Sequence, residues 1–214
     1  MLDYNEILNG KDVILASDWH MYKYDKTTGL VNKRADYDKI IERQNDAMNS
    51  NSVFLFLGDL VDDNITDRNI VSDLIKSIKG PKILIRGNND IFEDEFYINN
   101  GFMSVEYAIR YNNVIFSHTS IPIDGSVFYN IHGHIHRDGW DANDIPYYHP
   151  CKQNINVCGM KVGMPVLKYM PLERLATINT KYIEGQTEKA GMTRFIQNMA
   201  YQVYLKAEKK RIFK

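Results

Sequence analysis

Cysteine is scarce in this chain, and long apolar runs are absent from it. Only Cys151 and Cys158 occur among the 214 residues, and so few thiols do not predict a disulfide-stabilised scaffold. Every apolar run is far shorter than the roughly 18 residues that a membrane-spanning helix needs. The first residues are polar and acidic, which is unlike a signal peptide. We therefore expect a cytoplasmic protein that does not associate with membranes.

The chain also carries almost no net charge and lacks the common phosphate-binding loops. Its formal charge is −1, so no overall field attracts nucleic acid or anionic lipid. Neither a P-loop nor a dinucleotide-binding glycine motif occurs. A composition of 44% hydrophobic and 25% charged residues is typical of a globular protein. Any recognition of a phosphate compound must therefore come from a local cluster of side chains.

Short apolar runs alternate with amphipathic stretches along the first two thirds of the chain. The runs rich in Val, Ile, Leu and Phe predict strands at 13–16, 53–57, 83–85, 114–116 and 127–131. Apolar residues at helical spacing predict helices over 36–49 and 67–79. This alternation favours an α/β core with parallel strands, and the strands after residue 104 predict a second, partly antiparallel sheet. We expect one domain over 1–184, followed by a helical extension over 185–214.

Residues that commonly bind metals follow several of the predicted strands. They occur in five short segments, Asp18-Trp19-His20, Gly58-Asp59, Gly87-Asn88, His118 and Gly133-His134-Ile135-His136. Mixed imidazole, carboxylate and amide ligands without thiolates favour Mn, Fe, Zn or Ni over calcium. Two such ions about 3.5–4 Å apart can hold a bridging hydroxide and stabilise an in-line displacement at phosphorus. The ordered series predicts a dinuclear hydrolytic site.

The same series resembles the calcineurin-like metallophosphoesterase family, in particular its short phosphodiesterase-type branch. That family carries the motifs D-x-H, G-D-x-x-D, G-N-H-D/E, H and G-H-x-H, which match residues from about 12 to 136. The resemblance implies a four-layer αββα sandwich of two mixed sheets, with the dinuclear site at the strand ends. It also implies that Asp59 bridges the two ions and that each ion has three further ligands. These are Asp18, His20 and His136 for one ion, and Asn88, His118 and His134 for the other.

One position departs from the family pattern. The histidine of G-N-H, which is thought to protonate the leaving group in many members, is replaced here by Asn89. An amide cannot act as a general acid, although it can donate a hydrogen bond to a phosphate oxygen. The resemblance implies that Asp62 supports the site, and proximity to His136 makes Arg137 a candidate for contacting the phosphate. Asn89, Asp62 and Arg137 are the predicted catalytic residues.

Other residues near the motifs have structural interpretations that compete with functional ones. Asp62 could cap the next turn instead of supporting the site, and Asp90 could likewise be the N-cap of a following helix. His132 is interpreted as a hydrogen-bonded core histidine. His149 could supply the missing acid, but a surface histidine is the simpler interpretation. Arg34 could contact a phosphate and Tyr22 could stack on a base. Solvated or packed side chains of these types are more common.

The sequence thus predicts a metal-dependent phosphoesterase with a preference for phosphodiesters. We expect two divalent ions, with manganese preferred, and attack by a hydroxide that bridges them. A nucleotide or nucleic-acid fragment is a possible substrate, and the C-terminal helix is a possible homodimer contact. The alternatives are a phosphomonoesterase or nucleotide pyrophosphatase at the same site, or a catalytically weak interaction scaffold of the same fold, like the retromer subunit.

Overall fold

A computed structural model of the chain describes residues 2–22, 37–121, 129–136, 154–158 and 167–168. Four helices lie in these segments: α1 (Tyr4–Leu8), α2 (Tyr37–Ala47), α3 (Arg68–Ser77) and α4 (Asp94–Asn99). The first five strands are β1 (Asp12–Ala16), β2 (Ser52–Phe56), β3 (Lys82–Ile85), β4 (Ser104–Glu106) and β5 (Ala108–Tyr111). The remaining strands are β6 (Val114–Ser117), β7 (Tyr129–His132), β8 (Asn154–Asn156) and β9 (Leu167–Lys168).

The strands form two mixed sheets. The first has the order β4-β3-β2-β1-β9, with β4 to β1 parallel and β9 antiparallel to β1. The second has the order β5-β6-β7-β8, with β5 antiparallel to β6 and the others parallel. The predicted α/β sandwich of two mixed sheets is confirmed.

Alternating side chains of the first sheet face two separate hydrophobic cores. In β1, Val13 and Leu15 pack in the cluster shared with the second sheet, which includes Phe116 and Ile131. Ile14 packs on the opposite side, in the cluster that the helices share. Because successive strand residues point to opposite faces, a sheet covered on both faces must be apolar at every position. This explains why the strand runs read as continuous apolar segments.

Helix α3 shows how the sequence positions the outer layer. Asp67 caps its N-terminus by accepting a hydrogen bond from the Asn69 amide at 2.9 Å. Val71, Leu74 and Ile75 lie on its buried face, and their spacing places them on one side of the helix. The helix packs against Phe54, Phe56 and Leu84 of the first sheet. No helix among the described residues has both the length and the hydropathy to cross a lipid bilayer.

Candidate metal centre

The parallel strands bring the predicted ligand residues to one edge of the sandwich. Asp18, Asp59 and Asn88 follow β1, β2 and β3, which are parallel neighbours in the first sheet. His118 and His134 follow β6 and β7, which are parallel neighbours in the second. The carboxyl ends of parallel strands meet at the same edge, which is where ligands bind in open α/β sheets.

One group of donors comprises Asp18, His20, Asp59 and His136, and one ligand atom from each lies within 4.8 Å of the others. The Nε2 atoms of His20 and His136 are 3.1 Å apart. His136 Nε2 lies 2.9 Å from Asp18 Oδ1, and His20 Nε2 lies 3.6 Å from Asp59 Oδ2. Three of these residues come from the first sheet and His136 comes from the second.

A second group comprises Asp59, His118 and His134. His118 Nε2 lies 3.0 Å from His134 Nδ1 and 3.5 Å from Asp59 Oδ2. The side-chain oxygen of Asn88 is 3.1 Å from the same His118 nitrogen. Asp59 therefore belongs to both groups, and its carboxylate lies between them.

The chemistry of this donor set fits divalent metal ions. His118 Nδ1 lies 2.7 Å from the Leu57 carbonyl oxygen, and because a carbonyl only accepts, Nδ1 carries the hydrogen. The lone pair of His118 is therefore on Nε2, which faces His134 and Asp59. A backbone carbonyl that fixes the tautomer in this way is a usual feature of metal-binding histidines. Nitrogen and oxygen lone pairs that converge without sulfur suit Mn, Fe, Zn or Ni.

Four of the donor residues adopt left-handed backbone conformations that L-residues rarely use. Their φ angles are 57° at Asp18, 43° at His20, 62° at Asp59 and 66° at His134. Each such residue costs about 1–3 kcal/mol, and this strain persists only where surrounding contacts enforce it. Hydrogen bonds between the loops provide those contacts, from the Asp18 amide to the Gly58 carbonyl at 2.9 Å and from the His20 amide to the Asp59 carbonyl at 3.1 Å.

Gly133 allows the loops of the two sheets to come close together. A Cβ atom at Gly133 would lie 1.9 Å from Ser17 Oγ and 2.2 Å from Asp18 Oδ2. The next residue, His134, donates its backbone N–H to both carboxylate oxygens of Asp18 at 3.0 Å. The glycine is therefore required sterically for the contact that joins the first and last motifs of the series.

The two buried aspartates of the centre differ in their electrostatics. Burial raises the pKa of Asp59 from 3.8 to about 7, assisted by the charges of Asp90 and Asp18 and opposed by His118 and by the hydrogen bond from the Asn89 amide. For Asp18, burial also disfavours the charged form, but the hydrogen bond from His136 and the charges of His118 and His136 bring its pKa below the usual value. Without bound ions, Asp59 is therefore the one of these two carboxyl groups that holds its proton more tightly.

Asn89 is hydrogen-bonded to the shared carboxylate. Its backbone N–H donates to Asp59 Oδ1 at 2.9 Å and its side-chain amide donates to Asp59 Oδ2 at 3.1 Å. The same amide nitrogen lies 3.3 Å from His20 Nδ1. Asn89 therefore orients a ligand residue, a role that its residue type alone does not predict.

Of the other two predicted catalytic residues, the structure describes only Asp62. Asp62 is buried, and its carboxylate accepts a hydrogen bond from Asn64 at 2.5 Å. Burial opposes its ionised form, but hydrogen bonds from the side chain and backbone of Asn64 and the charge of His20 lower its pKa. Its amide donates to the Met21 carbonyl at 3.0 Å, which ties the first two motif loops together. Arg137 lies outside the described residues.

Several of the competing interpretations can be compared with the structure. His132 is fully buried and takes part in neither donor group among the described residues. Tyr22 packs against Tyr37, with ring centroids 5.4 Å apart. Cys158 is a buried thiol. Arg34, His149 and the predicted extension over 185–214 lie outside the described residues.

The interpretation of Asp90 as a helix N-cap is wrong. Helix α4 begins at Asp94 and its N-cap residue is Glu93. The Asp90 carboxylate instead accepts backbone N–H groups from Asp59, Leu60 and Gly87. The acidic fourth position of the G-N-H-D/E motif was the available signal. Sequence proximity to a helix obscured it, because a capping aspartate and a loop-bridging aspartate look alike in a sequence.

Comparison with known proteins identifies several similar chains. A family model described as calcineurin-like phosphoesterase matches residues 12–157. The uncharacterized protein MJ1445 of Methanocaldococcus jannaschii is 26% identical over 140 residues, which are 62% of this chain and 68% of that protein.

Two solved structures are also similar. The protein of unknown function AQ665 from Aquifex aeolicus superposes with a TM-score of 0.52 at 19% identity, over 74% of this chain and 95% of its own, which supports the fold. The nuclease MPE of Pseudomonas putida reaches a TM-score of 0.41 at 19% identity, over 58% of this chain and 61% of its own. This second likeness is too low to bear on function.

Proposed function

Since this chain belongs to the calcineurin-like phosphoesterase family, we propose that it hydrolyses phosphodiester bonds at the centre formed by the two donor groups. Family membership carries metal-dependent hydrolysis of phosphoesters, and the preference for diesters is the proposal. The observation that carries it is the arrangement of two donor groups around one shared carboxylate, that of Asp59.

We assign the seven donor residues to two divalent ions, with manganese preferred. Asp18, His20 and His136 would hold one ion, Asn88, His118 and His134 the other, and Asp59 both. Two ions bound there would supply Lewis-acid activation of water and of the phosphoryl group. The 3.0–3.1 Å distances between facing imidazole nitrogens support this assignment, since such nitrogens approach closely where they share a cation.

Two contacts within the chain hold ligand residues in an orientation suited to metal binding. The Leu57 carbonyl keeps His118 in the tautomer whose Nε2 can bind a metal. Asn89 holds the Asp59 carboxylate through two hydrogen bonds. A centre whose ligands are held in place before binding loses little free energy to reorganisation.

Two features support a diester as the substrate. Asn89 replaces the family's acid histidine and cannot itself protonate the leaving group, which favours esters with good leaving groups. Four buried carboxylates, those of Asp18, Asp59, Asp62 and Asp90, lie in the motif loops. Their formal charge offsets that of two divalent ions, and so small a net charge suits a monoanionic diester better than a dianionic monoester. Arg137, directly after His136, remains a proposed phosphate contact.

The proposal is tested with activated aryl substrates and added Mn²⁺. We expect kcat/KM for bis(p-nitrophenyl) phosphate to exceed that for p-nitrophenyl phosphate by at least about tenfold. Asp59→Asn should lower the diesterase rate more than about 100-fold, because it removes the carboxylate common to both groups. Asp46→Asn, on the exposed side of α2, is the matched control and should leave the rate unchanged. A diesterase rate that survives Asp59→Asn would refute the assignment.

The same assay separates the alternatives. Faster cleavage of the monoester would favour a phosphomonoesterase, and faster cleavage of a nucleoside diphosphate would favour a pyrophosphatase. Protein that binds no Mn²⁺ and has no activity would favour a scaffold. The seven donor residues, which all retain metal-binding side chains, argue against that last alternative.

A further inference from the structure

The carboxylate of Asp90 accepts hydrogen bonds from three main-chain amides. The residue is 2% exposed. Its Oδ2 atom accepts from the Asp59 amide at 2.9 Å and from the Gly87 amide at 2.8 Å, and its Oδ1 atom accepts from the Leu60 amide at 3.2 Å. Hydrogen bonds to an ionised acceptor are roughly twice as strong as neutral ones. One side chain therefore binds the loop after β2 to the loop after β3.

A second set of hydrogen bonds joins the same two loops, with donor and acceptor loops exchanged. Asn89, in the loop after β3, donates its backbone N–H and its side-chain amide to the Asp59 carboxylate. The loops also touch directly, since a Cβ atom at Gly87 would lie 2.2 Å from Asp59 Oδ1. Each loop thus contributes a carboxylate that the other loop's amides satisfy.

The contact explains how Asp59 keeps its unfavourable backbone conformation. With a φ of 62°, Asp59 is strained, and its amide would be buried without a partner if Asp90 were absent. A buried amide that loses its acceptor destabilises the conformation that buries it and favours conformations that expose it to water. Such a change in the loop would move the Asp59 carboxylate relative to the other members of the two donor groups.

We infer that Asp90 is a positioning residue: its carboxylate holds the Asp59-Leu60 main chain against Gly87 and thereby sets the direction of the shared Asp59 carboxylate. The inference rests on the proposed function, because it matters only if Asp59 binds metal. Among the described residues, Asp90 is a member of neither donor group. Its hydrogen bonds act on the centre through the backbone of Asp59 and Leu60.

Asp90→Asn is the informative variant, because it keeps the size of the side chain but converts one acceptor oxygen into an NH₂ group. That group would face backbone N–H groups and could not accept from them. Calorimetric titration of metal-free protein with Mn²⁺ should show an affinity about 10–100-fold weaker than that of the wild type. Asp67→Asn is the matched control, since Asp67 also caps a backbone amide but does so at α3. It should bind Mn²⁺ like the wild type.

A residue that only stabilises the fold should affect the stability of the protein without changing its Mn²⁺ affinity. Leu8→Ala, at a buried position in α1, lowers the stability of the fold away from the centre and should leave Mn²⁺ affinity unchanged in the folded protein. If Asp90→Asn retains wild-type affinity while the wild type binds Mn²⁺, the inference is refuted and the proposed function stands. If the wild type itself binds no Mn²⁺, the proposed function fails and the inference fails with it.

Hydrogen exchange on metal-free protein provides a test that does not depend on the variant folding. The amides of Asp59, Leu60 and Gly87 should exchange as slowly as those of β2, because each donates to a buried acceptor. Where Asp90→Asn folds, these three amides should lose protection, and the Asp62 amide, which donates to Met21, should keep it. Unprotected amides at the three positions in the wild type would overturn the inference.

Discussion

The raised pKa of Asp59 predicts that the metal-free protein loses stability as the pH rises, and that Asp59→Asn removes this loss. The folded-state pKa is about 7 against 3.8 for an exposed aspartate. The folded protein therefore binds the proton more tightly than the unfolded chain does. This contribution is complete below the unfolded pKa and disappears as the pH passes through about 7.

The expected magnitude follows from the two pKa values. Between about pH 5.5 and about pH 8, the Asp59 contribution to the free energy of unfolding should fall by about 2 kcal/mol. Urea unfolding in the presence of a chelator, at both pH values, measures the change in the wild type and in Asp59→Asn. The difference between the two changes isolates Asp59 from every other titrating group that the proteins share.

One outcome of the pH comparison between the wild type and Asp59→Asn would refute this reasoning. If the wild type and Asp59→Asn change stability in parallel between the two pH values, then Asp59 is already ionised in the folded protein and the account of its burial is wrong. With saturating Mn²⁺ the slope should reverse in the wild type, because bound cations stabilise the deprotonated carboxylate.

Three further outcomes are expected. Gly133→Ala should weaken Mn²⁺ binding at least about tenfold in calorimetry, because the new Cβ would overlap Ser17 and Asp18. The control Gly10→Ala, which has open space at its Cβ, should bind Mn²⁺ normally. Equal binding by both variants would contradict the packing described for Gly133. Chelation should abolish phosphodiester hydrolysis and added Mn²⁺ should restore it, and a rate unaffected by chelator would exclude a metal-dependent reaction. Phe56→Ala should lower the free energy of unfolding by about 3–5 kcal/mol in urea titrations, since Phe56 is fully buried. A loss below about 1 kcal/mol would mean that the core around Phe56 is not packed as described.

The parts of the fold that the sequence predicts well are those with local signals. The runs at 53–57 and 83–85 became β2 and β3 within one residue at each end, because a strand covered on both faces is apolar throughout. The helix predicted over 67–79 became α3, since its cap and apolar spacing lie within the helix itself. The order of motifs also predicts which donors gather, because parallel strands bring their carboxyl ends together.

Features that depend on distant parts of the chain were not predictable. Strand β9 pairs with β1 across about 150 residues, and two residues of strand carry no local pattern. The role of Asp90 depends on amides in another loop, and the hydrogen bonds of Asn89 depend on where Asp59 lies. The helix over 185–214, the homodimer contact and the cytoplasmic location remain predictions.

Each donor group takes residues from both sheets, so an ion in either group would join the two halves of the sandwich. Asp59 extends from the first sheet, and His134 and His136 extend from the second. Two bound ions would therefore act as cross-links across the sheet interface, in a chain with only two cysteines. Ion binding would then resist separation of the sheets, and the force or denaturant needed to pull them apart would rise with the concentration of free metal.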